Sequence, residues 1–395
     1  MTTPAQQYQI PGILLYTRIA KSPFFYASWR HKPKLYSVYN HRYHPRLYGD
    51  PEEEYWALVN DVTLWDVGVE VQVQVTGPDA FDFVNWVITR DLSKCKVGQC
   101  KYVFLTDENG GIINDPVLLR LQENEFWFSL ADSDVHLWLK GLAYGSRFNV
   151  TIREIDVAPV QVQGPKAKEV MRELFGEAVL GLPYYHLMEA TLDGMQVVIS
   201  RTGYSGEIGY EIYLRDASRH AIALWDRVYE AGQPYGLKVI GPCHTRRIEA
   251  GILAYGADID ITTNPFEVGM GYEWMVSLKK ESDFIGKEAL QRIKGEGIKR
   301  LLVGIEIEGE SLGYYNDGSM IDFFPVYLPN GAEQVGKVTS ACYSPRLQKN
   351  IGYAMVPIEL SAIGTELEVQ TPYGRRRAQV VPKPFVDPKK DIPKQ

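Results

Sequence analysis

The sequence predicts an α+β protein that ends in a small all-β barrel or sandwich, and three observations carry that reading. First, a strand, a Gly-Pro turn and a helix form a unit that occurs twice. VEVQVQVTG (69–77) alternates strictly, and PDAFDFVNWVI follows it with apolar residues at helical spacing. VQVQGPKAKEVMRELFG (160–176) repeats the pattern, with Gly164-Pro165 placed 87 residues after Gly77-Pro78. So long a period indicates duplicated halves rather than a solenoid. Second, runs of strands precede runs of helices with few βαβ crossovers. Third, from Lys299 to Val381 short strands recur at regular turn spacing.

Between the two units, KYVFLTDENGGIINDPVLLRL and NEFWFSLADSD read as antiparallel strands broken by Asp-Glu-Asn-Gly-Gly and Glu-Asn turns. After the second unit come a strand pair, MQVVISRTG and YEIYL, and two helices, ASRHAIALWDRVYEAG and CHTRRIEAGILAYG. EGIKR (296–300) is the expected linker to the C-terminal strands, and the polar tail VDPKKDIPKQ is expected to fray.

With 395 residues, 45% hydrophobic and 23% charged, the chain is globular and large enough for two or three domains. Its net charge of −7 argues against nucleic acid or an anionic membrane as partner. MTTPAQQYQIPG lacks the features of a signal peptide, and no segment has the length of a membrane span, so the cytoplasm is expected. Four cysteines without C-x-x-C spacing read as structural thiols, and seven scattered histidines suggest no metal. GMGYEW ends in Trp274 where a dinucleotide fingerprint needs glycine, and no Walker A stretch occurs. RTGYSGEIGYEIYL (201–214) nearly spells a nucleophile elbow, but Glu207 replaces the closing glycine, which leaves Ser205 to turn chemistry. Aromatic residues crowd the first 65 positions, from Phe24 to Trp65, and part of them is expected to line a pocket.

What remains is a set of polar groups on strand edges and turns: Tyr102, Asp115, Ser129, Tyr204, Glu211, Tyr213, Arg247 and Tyr255. Each alone also reads as an ordinary turn or strand residue. Together with their surroundings they resemble the aminomethyltransferase family, the T-protein of the glycine cleavage system and its relatives. The likeness runs from about Tyr39 to Val381, through TGPDAFDFV, DENGGIINDPVLL, RTGYSGEIGYEI, RRIEAGILAYGADIDITTNPFEVGMGYEW, DFIGKEAL and GKVTSACYSPRLQKNIGYAMV. VYNH (38–41), LWDV (64–67), GQCKYV (98–103), NGGIINDPVL (109–118) and SLADSDVHLWLKGL (129–142) are closer to the tetrahydrofolate-dependent demethylases of that family, dimethylsulfoniopropionate demethylase above all. Asn114 stands where glycine-cleavage members usually carry a second acid, and Tyr204 where the sulfonium pattern has Trp.

The resemblance implies three domains around a central opening. Residues 1–60 with 155–255 and residues 61–154 with 256–295 would form two interleaved α+β domains, and 296–385 the barrel. It implies tetrahydrofolate as methyl acceptor, a small-molecule methyl donor, no lipoyl carrier protein, and a monomer or homodimer. By the same likeness Asp115 is the catalytic acid beside the reactive folate nitrogen. Glu211 accepts the two N–H groups of the pterin edge, while Tyr102, Arg247, Ser129 and Tyr255 complete the cofactor site. Tyr39, Tyr204 and Tyr213 are the expected donor-side residues, where aromatic faces attract a sulfonium or quaternary ammonium by about 0.5–2 kcal/mol each.

Overall fold

The computed structural model describes residues 14–395, so the reading of the first residues as lacking a signal peptide lies outside the described residues. Both strand–turn–helix units are present. Strand Gln72–Thr76 passes through Gly77 (φ +129°) into helix Ala80–Val87, and strand Val157–Gln163 passes through Gly164 (φ +126°) into helix Ala167–Phe175. A Cβ on either glycine would sit 2.5 Å from a carbonyl oxygen, that of Asn149 or of Asp61, so neither turn admits a side chain.

Each unit anchors its own sheet. The strand Gln72–Thr76 lies in a five-stranded antiparallel sheet with Gln99–Tyr102, Val117–Gln122, Glu125–Ser129 and Thr151–Glu154. The strand Val157–Gln163 lies in a six-stranded sheet between Gly209–Arg215 and Thr63–Asp66. Thr63–Asp66, placed with residues 61–154 on the sequence, therefore pairs within the other unit's sheet. All four of its residues are buried, and a strand buried on both faces belongs in a covered sheet interior. The two sheets meet through Leu119 and Trp127 on one side and Val198 and Tyr213 on the other.

Helix Ala217–Gly232 matches its prediction, whereas CHTRRIEAGILAYG is helical only over His244–Glu249. Gly251 and Gly256 take φ +72° and +81°, and the Ile252 amide turns back to the Arg247 carbonyl at 2.9 Å, closing the helix. Six strands between Arg300 and Val381 form a closed barrel. It is tied to the short helix by the Tyr353 hydroxyl, which donates to the Ile248 carbonyl at 2.8 Å. Phe24, Tyr43, Tyr55 and Trp65 are fully buried in the cores, while Tyr39 keeps part of its surface. Cys95, Cys100, Cys243 and Cys342 are free and buried. No described helix is long and apolar enough to cross a membrane.

Candidate active site

Side chains from several separate segments lie close enough around Asp115 to feel one another's charges. The hairpin of Leu35–Tyr39 and Arg42–Leu47 turns through Asn40 and His41, both at positive φ (+45° and +58°), and this turn fixes Tyr39 at its tip. Asn40 is locked in turn: its amide donates to Asp132 at 2.7 Å, and its side-chain oxygen accepts from the Ser133 amide at 3.1 Å. Asn114 holds the same loop, donating to Ser133 Oγ at 2.8 Å and accepting from the Ala131 amide at 3.1 Å, with no exposed surface. An aspartate there could not donate, so the amide is what this packing requires.

Beside Asn114, Asp115 points the other way. Its Oδ2 accepts from the Tyr102 hydroxyl at 2.8 Å, and its Oδ1 is buried without a partner. Burial raises the Asp115 carboxyl to about 7; the Tyr102 hydrogen bond opposes the shift and the charge of Asp258 adds to it. Tyr102 is held well above its ordinary value by burial and by the Asp115 charge. Tyr39 and Tyr204 feel the charge of Asp115 as well, and burial keeps both phenols protonated. The Tyr204 hydroxyl donates to the Leu253 carbonyl at 3.3 Å. Tyr255 borders the same space, its hydroxyl 3.4 Å from the Ile112 carbonyl.

Glu211 sits on strand Gly209–Arg215 and is only 3% exposed. Gln161, its cross-strand partner, donates to Oε1 at 2.6 Å; Tyr213 donates to Oε2 at 2.8 Å, and Thr202 and Ser200 add two more hydroxyls. Tyr213, expected at the methyl donor, thus lies fully buried in the seam between the sheets and supports Glu211 from behind. Arg247 is likewise enclosed. It pairs with Asp258 and donates to Ser340 at 2.6 Å, leaving Nε as a buried donor without a partner. Ser129 donates to Glu70 at 2.8 Å instead of opening toward the recess.

Glu70 was not singled out on the sequence. It is half-buried near Glu211 and Asp115, and its carboxyl is raised by burial and then by the charges of those two acids. Its place as the one acid within the strictly alternating stretch VEVQVQVTG (69–77) was the available signal. Within RTGYSGEIGYEIYL, the segment before the strand Gly209–Arg215 is a turn built around Gln163. Ser205 donates to Gln163 at 2.6 Å, and Gly203 and Gly209 leave room for that glutamine, since a Cβ on either would fall 2.2 Å from it.

One carboxylate held by four donors with a lone pair left on Oε1, one carboxylate with a free buried oxygen, and neutral phenols near the latter suit a flat hydrogen-bonding heterocycle with a nucleophilic nitrogen. The unpartnered Asp115 Oδ1 and the enclosed Glu211 edge are what tetrahydrofolate would require of this chain.

The GCVT N-terminal domain model matches residues 26–280, and the glycine cleavage T-protein C-terminal barrel domain model matches residues 300–387. The chain is 34% identical over 363 residues to the dimethylsulfoniopropionate demethylase DmdA of Ruegeria pomeroyi, covering 92% of this chain and 96% of that one. It is also 34% identical over 347 residues to an aminomethyltransferase of Bacillus cytotoxicus, covering 86% and 91%. The glycine cleavage system aminomethyltransferase T from Bartonella henselae shares the fold, with a TM-score of 0.82 at 22% identity over 94% of this chain and 99% of that one. The chain belongs to the aminomethyltransferase, or glycine cleavage T-protein, family of tetrahydrofolate-dependent one-carbon transferases.

Proposed function

We propose that the protein is a demethylase that moves a methyl group from a small methylated donor, dimethylsulfoniopropionate or a related compound, to tetrahydrofolate. The observation that carries the reading is Asp115: one oxygen held by Tyr102, the other free, and a carboxyl raised to about 7 in a recess bordered by Tyr39 and Tyr204. The relative named as a dimethylsulfoniopropionate demethylase supports it, although a relative named as an aminomethyltransferase has the same identity.

When bound, tetrahydrofolate supplies the nitrogen that accepts the methyl group. Glu211 would accept N–H donors from the pterin edge, its own position fixed by Gln161, Thr202 and Tyr213. Asp115 Oδ1 would orient the attacking nitrogen or take its proton, and Tyr102 would hold the carboxylate in place. The aromatic faces of Tyr39 and Tyr204 would receive a sulfonium or ammonium. A sulfonium leaves as a neutral thioether and asks for no proton donor, so alignment in a water-poor recess supplies most of the acceleration.

A second reading, an aromatic O-demethylase, is favoured by one observation: Tyr39 and Tyr204 stay protonated and can donate to a phenolate leaving group. The test is incubation with tetrahydrofolate and a panel of sulfonium, betaine, N-methyl and methoxyaromatic compounds, with the folate product identified by mass. We expect a methylated folate from a sulfonium or betaine without any lipoyl carrier protein. Product from methoxyaromatics alone selects the second reading, a need for the carrier selects a glycine-cleavage role, and no one-carbon folate from any donor refutes the enzyme.

A further inference from the structure

The strand Arg42–Leu47 sorts its side chains by alternation. Tyr43 and Leu47 enter the core, where the Tyr43 ring lies 6.2 Å from Phe25. Arg42, His44 and Arg46 face the other way, toward the side that carries Tyr39, whose ring is 5.6 Å from that of His44. Arg42 is spent on Glu154 at 2.6 Å. Arg46 is not: among the described residues its guanidinium has no carboxylate at ion-pair distance and donates no hydrogen bond, although it is half-buried.

The groups around Arg46 do not neutralise it. Arg247, the other guanidinium nearby, already has Asp258. His44 and His244 are 4% and 8% exposed, and both ring nitrogens of His44 and Nδ1 of His244 lack partners. Burial, with the charge of Arg46, holds both imidazoles neutral. His244 also stacks on Tyr315 at 4.6 Å and 8°, which fixes its ring. One uncompensated, half-buried cation beside three buried and unpaired imidazole nitrogens is a costly arrangement unless an anion enters. This corner touches Tyr39 and Tyr204, the residues that also border Asp115, but Arg46 is not among the groups that shift Asp115 or Glu70.

We propose that Arg46, flanked by His44 and His244, anchors a carboxylate on the methyl donor, so that the donor spans the recess with its methyl-bearing end at Asp115 and its anionic end at Arg46. The inference rests on the reading of the recess as the donor site. It names the donor class as small methylated sulfonium, ammonium or methoxy compounds bearing a carboxylate, which guanidinium can hold by two parallel hydrogen bonds. The glutamyl tail of tetrahydrofolate offers the same chemistry and is the competing source.

Calorimetric binding of dimethylsulfoniopropionate, glycine betaine and 4-methoxybenzoate, each beside its methyl ester, separates the cases, with tetrahydrofolate titrated in parallel. We expect the wild type to bind at least one acid about 10- to 100-fold more tightly than its ester. Arg46→Gln should abolish that preference, Arg46→Lys should keep part of it, and tetrahydrofolate affinity should change less than about twofold in both. Equal binding of acid and ester by the wild type, an unaltered preference in Arg46→Gln, loss of tetrahydrofolate affinity in its place, or no binding of any acid overturns the proposal. The acid-to-ester comparison needs no variant, so a misfolded substitution does not obscure the answer. If an acid binds through Arg46 but no methyl reaches the folate, the demethylase reading fails and the anchor stands; transfer unchanged in Arg46→Gln gives the reverse.

Discussion

The two halves of the molecule each bring one carboxylate to the recess and treat it in opposite ways. Glu211, on the six-stranded sheet, receives four side-chain donors and is almost wholly enclosed. Asp115, on the five-stranded side, receives Tyr102 alone and keeps a buried oxygen free. A carboxylate held by several donors is rigid and, with Oε1 taken by Gln161 alone, keeps a lone pair for recognition; an under-solvated one is strained electrostatically and suited to exchange a proton. The two sheets thus carry one carboxylate fixed by many donors and one left with an unpaired oxygen.

The contrast can be broken most severely at Asp115. Asp115→Ala should lower kcat by about 10²- to 10⁴-fold and leave tetrahydrofolate binding measurable; an unchanged kcat would remove Asp115 from the chemistry. Glu211→Gln should act on binding, raising the Kd for tetrahydrofolate by about 10- to 100-fold with kcat at saturation within a few-fold. Equal losses in both parameters would erase the distinction between the two acids.

A smaller effect sharpens the comparison through pH. Asp115 is protonated below about 7, so kcat/KM of the wild type should fall on the acid side with an apparent value near 7. Tyr102→Phe removes a hydrogen bond that lowers this value, and the acid limb should move upward by less than about one pH unit. A limb that stays in place would show that the bond does not tune the acid.

Stability offers an independent readout of the same carboxyl. The Asp115 carboxyl is raised from 3.8 to about 7 on folding, so the stability tied to its proton is complete below about 4 and lost as pH rises through about 7. Asp115→Asn mimics the protonated form. Its melting temperature should match the wild type near pH 4, exceed it increasingly up to about 7, and hold that margin at higher pH.

Much of the scaffold was legible in the sequence because its signals are local. The two Gly-Pro turns sit where a Cβ would strike a carbonyl, and the C-terminal strands announce themselves by their turns. Tyr102, Asp115 and Glu211 were reached through a family pattern, but the bond between the first two joins a strand end to a loop 13 residues on, which no periodicity encodes. Tyr213, expected beside the methyl donor, lies in the seam between the sheets, since alternation tells which residues share a face and not what that face meets. Arg46 and Glu70 were missed for the same reason. In RYHPRL the proline and three basic residues look like an exposed edge, and only the packed hairpin turns Arg46 inward.

The strand Thr63–Asp66 has a bearing on how the chain assembles. Its neighbour in the sheet, Val157–Gln163, is synthesised only after every strand of the five-stranded sheet. That sheet is complete in itself between Gln72 and Glu154, and Asp66 pairs with Val160 just outside its two ends. Once folded, the inserted sheet shortens a long, entropically costly loop to a preformed clasp that delivers the two strands to each other. Lesions in the inserted sheet should therefore slow formation of the other one, and a ribosome-bound chain should gain the six-stranded sheet last of the two.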